Sequence, residues 1–243
     1  MEFLIVLAVG LVAGTLGGIV GFGASIMLMP VLVIAFGPLQ AVPVMAIAAL
    51  LANLSRIVVW WREIDWKAGA AYAVTGVPAA ALGVRTLASL PPRVIEIAIG
   101  IFFIGMVLVR RWMAARDLKF GPWQLAALGL VIGYVTGIVV STGPITAPIF
   151  LGAGLVRGAF IGTEAAASLA VYLGKAATFR ALDMLPADIV ARGLITGASL
   201  MVGAFVARRF VLEMAPAQFR RLMDGLMLAS GAVLLWSALV GAR

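Results

Sequence analysis

Apolar and polar positions alternate along this chain in long blocks rather than within single elements. An apolar run covers residues 3–36, more than the about 20 residues that one membrane crossing takes. Three glycines within six positions, Gly18, Gly21 and Gly23, and then Ser25 interrupt it, and such a stretch is poor helix interior. The pattern predicts a broken helix with an arm on each side of unwound backbone near Gly21. Further apolar blocks at 41–61, 68–87 and 93–112 are separated by FGPLQ, REIDWK and LPPR, the proline and charge punctuation expected between helices. After the polar stretch RRWMAARDLKFGP the order repeats. A second long segment at 123–155 is split near residues 141–144 within GIVVSTGPITAP, and blocks follow at 159–179, 189–210 and 219–240. In lipid, unwound backbone survives only where protein or a polar cavity surrounds it, so both breaks point to a binding site.

The repetition extends to residues. GLVAGTLGGIV at 10–20 and GLVIGYVTGIV at 129–139 agree at seven of eleven positions, the REID motif at 62–65 is answered by RALD at 180–183, and Pro92 by Pro216. The expected fold is an all-α polytopic membrane protein. It has a first repeat over residues 1–113, a linker over 114–121 and a second repeat over 122–243, each repeat a broken helix followed by three transmembrane helices. Basic residues decide orientation. If each broken segment turns back as a hairpin, eleven Lys and Arg lie on one side and four on the other; if each is a single crossing, the split is eight to seven. Only the hairpin obeys the positive-inside rule. It makes the two repeats inverted, places both termini outside, and leaves 24–36 as an arm of about 20 Å.

Composition sharpens this picture. The chain has 243 residues, 64% hydrophobic and 12% charged, with mean hydropathy +1.16, against about 25% charged in soluble domains. A multi-pass protein of the cell (inner) membrane is expected. The net charge of +8 comes from residues between spans, where it sets topology and meets lipid headgroups, so no nucleic-acid partner is expected. The chain has no Cys and no His. That removes disulfides, thiolate catalysis, Cys/His metal sites and histidine relays. No HExxH, no paired carboxylates and no GxxxxGK[ST] occur, so neither an enzyme nor a self-contained ATP-driven pump is expected, and no cofactor or metal.

Two repeats that each open on a glycine-rich broken helix ending in proline resemble the sulfite exporter TauE/SafE family. The residues that carry the resemblance are Gly14, Gly17, Gly18, Gly21, Phe22, Gly23, Ser25 and Pro30, then Gly133, Gly137, Gly143 and Pro148, and it covers essentially the whole chain. It implies a transporter of small anions, especially sulfite and organosulfonates. The chain departs from the doubled pattern at the second break, which reads VVSTGP rather than VGFGAS.

An anion needs N–H donors and positive potential, and helix N-termini supply both. Candidate contacts are therefore Gly21, Phe22, Gly23 and Ser25 at the first break and Ser141, Thr142 and Gly143 at the second; the same glycines also suit tight helix packing. Three basic residues fall inside spans: Arg56, Lys175 and Arg192. Each either snorkels to the headgroups or lines a vestibule that attracts anions. Glu164, Ser168, Tyr172 and Lys175 are spaced four, four and three and share a helix face, as do Asn53 and Arg56. These faces are expected to line the pathway, with interhelical hydrogen bonding the alternative for Asn53 and Ser168. Glu164 is the candidate for coupling to protons. Glu96 and Asp224, near span starts, are expected to meet the helix dipole. The expected function is a secondary transporter of small anions by alternating access; the alternatives are an anion channel and a non-transporting membrane assembly partner. The expected partners are the anion, the lipid bilayer and, through the glycine-rich faces, a second copy in a homodimer.

Overall fold

The computed structural model describes residues 10–11, 23–116, 118–139, 142–210 and 216–240. Among the described residues all regular structure is helical. The elements are α1 (Gly23–Phe36), α2 (Pro38–Trp60), a 3-10 turn (Trp61–Glu63), α3 (Trp66–Ser89), α4 (Pro92–Ala114), α5 (Pro122–Ile138), α6 (Gly143–Gly152), α7 (Arg157–Ala181), α8 (Ala187–Phe210) and α9 (Pro216–Val240). The apolar blocks read from the sequence each become one helix. Three of the helices begin one to three residues earlier than the blocks because Pro38, Pro92 and Pro122 open them at their first positions, where the missing N–H costs nothing.

The junctions follow from local chemistry. Gly37 has φ 75°, a left-handed conformation, and turns the end of α1 directly into α2. Asp65 caps α3 by accepting from the N–H groups of Lys67 and Ala68, both at 3.0 Å. The second break lies where expected, between Ile138 and Gly143, with Val139 extended. The first break, near Gly21, lies outside the described residues. α1 and α6 run through Pro30 and Pro148, and α1 ends at Phe36 as the expected 24–36 arm does. Packed membrane helices tolerate an interior proline because neighbours satisfy the freed backbone groups.

The order of contacts gives helix directions. Trp60 on α2 lies against Gly158 and Gly162 on α7, while Arg56 meets Glu164, so α2 and α7 are antiparallel. Gly100 and Ile104 on α4 meet Leu235 and Gly231 on α9, which are antiparallel too. By contrast α2 runs parallel to α8 through Ile47/Gly193 and Ala48/Gly197, and α3 runs parallel to α5. That last pair packs closely: Gly129, Gly133 and Gly137, spaced by four, face Tyr72, Gly76 and Gly83. A Cβ on Gly133 would sit 2.6 Å from the Gly76 Cα, so helices meet backbone to backbone here. The Phe120 N–H donates to the Gly152 carbonyl at 2.9 Å. The start of α5 and the end of α6 therefore lie side by side, and the segment enters and leaves on one side.

The outer faces are apolar, with Val58, Val74, Leu108 and Ile34 exposed, while Lys175, Glu164, Asn53 and Thr163 are buried. This inverts the usual distribution in water. Trp61, Trp66, Trp112 and Trp123 are exposed at the one end where α2 and α4 finish and α3 and α5 begin, as in an interfacial aromatic belt. Among the described residues, the stretches Pro38–Glu63 and Pro92–Met113 are long and apolar enough to cross a membrane by length and composition.

Candidate functional site

A cavity of about 50 Å³ lies where the second break, α2, α3 and α7 converge. At roughly 10–15 Å³ for each water-sized occupant, it holds a few waters or one small oxyanion. Its walls draw on both halves of the chain: Ser25 from α1, Asn53 and Arg56 from α2, Thr142 and Gly143 at the start of α6, and Glu164, Ser168 and Tyr172 from α7. These eight were all singled out from sequence. Spacing explains the convergence. Positions 45, 49, 52, 53 and 56 repeat at helical period along α2, and 164, 168, 171 and 172 do so along α7.

One polar network spans the cavity. The Arg56 guanidinium donates through Nη1 to Glu164 Oε2 at 2.8 Å and through Nη2 to Asn53 Oδ1. Glu164 Oε1 accepts from Ser168 at 2.8 Å and from Thr146 at 3.2 Å. Asn53 in turn donates to the Ala49 carbonyl at 2.8 Å. The carboxylate thus has three donors from α2, α6 and α7, which satisfies a buried charge. The Arg56 and Glu164 side chains are 13% and 5% exposed. Arg56 therefore turns inward rather than snorkelling. Thr136 and Thr142 share a hydroxyl hydrogen bond of 2.7 Å across the break. The Thr142 carbonyl accepts from Ile145 and Thr146, which starts α6 with its positive dipole end at the cavity.

Lys175 departs from both readings of it. It does not snorkel, line a vestibule or face the cavity. It is fully buried, and its Nζ donates to the Thr136 and Val139 carbonyls at 2.6 and 2.7 Å. Both carbonyls lie at the end of α5 beside the break. Arg192 bonds Gln40 at 3.1 Å, pairs with Asp188 at 3.5 Å and lies over the Phe36 ring, away from the cavity. Asp224 does not cap a helix but pairs with Arg110 and Arg111 at the far end of α4, and Glu96 accepts from Ser237 at 3.3 Å. Gly23 is the first residue of α1. Gly21, Phe22 and Ser141 lie outside the described residues. Among the described residues no cluster of acidic side chains suits a metal ion.

The sequence reading missed Tyr72, Thr136 and Thr146. Tyr72 lines the cavity from α3, its ring 5.4 Å from that of Phe150. A single polar tip in an otherwise apolar helix face was its only signal. Thr136 and Thr146 flank the break at four residues before Val140 and three after Gly143, a position that marked them in hindsight.

Comparison with known proteins assigns the chain to a family of membrane transporters. Residues 6–234 match the family described as sulfite exporter TauE/SafE. The chain belongs to that family. A relative in Bacillus subtilis (strain 168), titled "Probable membrane transporter protein YjnA", is 23% identical over 256 residues that cover 95% of this chain and 98% of the relative. No solved structure matches. As a TauE/SafE protein the chain is a membrane transporter, of a family of transporters rather than enzymes, and it resides in a membrane.

Proposed function

We propose that this protein is a secondary transporter of small anions, a sulfur oxyanion or an organosulfonate, working by alternating access around the cavity at Arg56. The observation that carries the reading is the cavity itself: a guanidinium and the N-terminal end of α6 converge on a space the size of a small oxyanion. The positive dipole end of α6 favours an anion there, and the Arg56 guanidinium, paired with Glu164 in this structure, is a donor that an anion can share. The family's description as sulfite exporters agrees with that chemistry.

In this reading residues 1–113 and 122–243 are inverted repeats joined by 114–121. Packing supports it. Exchanging the halves pairs α1 with α6, α2 with α7, α3 with α8 and α4 with α9. Under that exchange the contact of α2 with α8 becomes that of α7 with α3, and α1 on α9 becomes α6 on α4. The pairs α2/α7 and α4/α9 map onto themselves and are antiparallel, as an axis in the membrane plane requires. The tryptophan-rich end, with Arg62, Lys67, Arg116 and Lys119, is then cytoplasmic, and the protein is multi-pass in the cell membrane. The expected homodimer through glycine-rich faces does not draw on Gly129, Gly133 and Gly137, which pack on α3 of the same chain.

Counterflow in proteoliposomes tests the function. Vesicles loaded with unlabelled sulfite should accumulate radiolabelled sulfite transiently, and R56Q should abolish the accumulation. Flux that never saturates and shows no counterflow would mean a channel instead.

A further inference from the structure

The second break presents two helix ends of opposite sign. The last carbonyls of α5 form a negative pole and the first turn of α6 a positive one. Left alone, such a break is ambipolar, with as much to offer a cation as an anion. The side chains at the cavity do not resolve this, because Arg56 and Glu164 form a pair that is neutral as a whole. What breaks the tie lies behind the cavity wall. Lys175 is fully buried, and its ammonium grips the Thr136 and Val139 carbonyls. Among the described residues it enters no ion pair; its other neighbours are the Tyr172 and Phe179 rings, 5.9 and 5.8 Å away. Thr136 itself lines the cavity, so the charge stands one residue from the substrate space. An unpaired buried cation is costly in a membrane and is kept for function.

We propose that Lys175 is the charge-selecting residue of this transporter. It cancels the negative end of α5, leaves the positive end of α6 dominant at the cavity, and so makes the break an anion site. It acts through the α5 carbonyls and the field, without touching the substrate. The inference rests on the anion reading above and assigns the source of its selectivity.

The field acts in proportion to ligand charge, which a merely structural role does not imitate. The test is thermal stabilisation of the purified full chain by methanesulfonate, with one negative charge, and by sulfate, with two. K175Q removes the charge but keeps donors for the carbonyls; K175R keeps the charge. K175Q should weaken methanesulfonate about tenfold and sulfate about a hundredfold, since the interaction scales with the product of charges. K175R should stay within about threefold of wild type, both side chains being cationic donors. Equal losses for the two anions, or no loss, would overturn the proposal while leaving the anion reading standing. A wild type blind to both anions would overturn the anion reading and this proposal with it. Should K175Q not fold, T178E sets a carboxylate one turn along the same helix and should reproduce the charge-scaled loss; equal losses there would refute it.

Discussion

In the proposed anion site, an anion that engages the Arg56 guanidinium must first share it with, or displace, the Glu164 carboxylate. Replacing Glu164 with Gln keeps the shape and a partner for Ser168 and Thr146 but removes the charge. The ions are 2.8 Å apart and largely buried. At an effective dielectric constant of about 20 their attraction is about 6 kcal/mol, most of it offset by desolvation. Breaking a buried pair by removing one partner costs about 3–5 kcal/mol. Arg56 keeps Asn53 and some solvent, so the low end, about 3 kcal/mol, applies. For a chain of this size that lowers the melting temperature by about 6–12 °C. An anion should then restore more than it adds to wild type. Sulfate at 100 times its wild-type dissociation constant adds about 2.7 kcal/mol to wild type, and a tenfold tighter site adds about 4.1 kcal/mol at the same concentration. The assay is thermal unfolding of detergent-purified wild type and E164Q with and without sulfate. An unchanged melting point without ligand, or a sulfate increment in E164Q no larger than in wild type, would refute the reasoning.

Other consequences follow from packing and topology. G133A drives a Cβ to 2.6 Å from the Gly76 Cα, where only backbone could yield. It should destabilise by about 1–3 kcal/mol, as overpacking does, measured as a lower midpoint of unfolding, whereas G105A, with open space around it, should not. D224N removes the carboxylate that Arg110 and Arg111 share and should cost more than R111A, whose side chain is 65% exposed and whose loss should cost under about 1 kcal/mol; unfolding of the two variants compares them directly. The chain has no cysteine, so single replacements K119C and R209C report sidedness without background. An impermeant thiol reagent should reach both from the same side of the membrane, and opposite sides would rule out the hairpin arrangement.

Much of this was legible in the sequence for physical reasons. Glycines, prolines and charge clusters cannot sit comfortably within apolar helices, so they marked every boundary, and the break between Ile138 and Gly143 came with them. Polar residues at helical spacing, Asn53 with Arg56 and Glu164 with Ser168 and Tyr172, had to share faces, and those faces meet. What stayed hidden involves partners without a sequence signature. Lys175 bonds backbone carbonyls, which every residue has, so nothing distinguished holding the break from snorkelling. The Arg56–Glu164 pair spans 108 positions and depends on α2 and α7 running antiparallel. Glu164 looked close to a span end, yet it lies two turns into α7 and faces inward.

The central claim, an anion site at Arg56 between the two halves, is tested most directly by thermal stabilisation of wild type and R56Q against one ligand panel. The panel holds sulfite, sulfate, thiosulfate, small alkyl sulfonates, matched carboxylates and cations. The account predicts that a sulfur oxyanion or a sulfonate stabilises wild type by about 2.7 kcal/mol at 100 times its dissociation constant, that cations do not, and that R56Q loses the response. A flat response to every anion, a response to cations alone, or an R56Q protein that responds like wild type would contradict it.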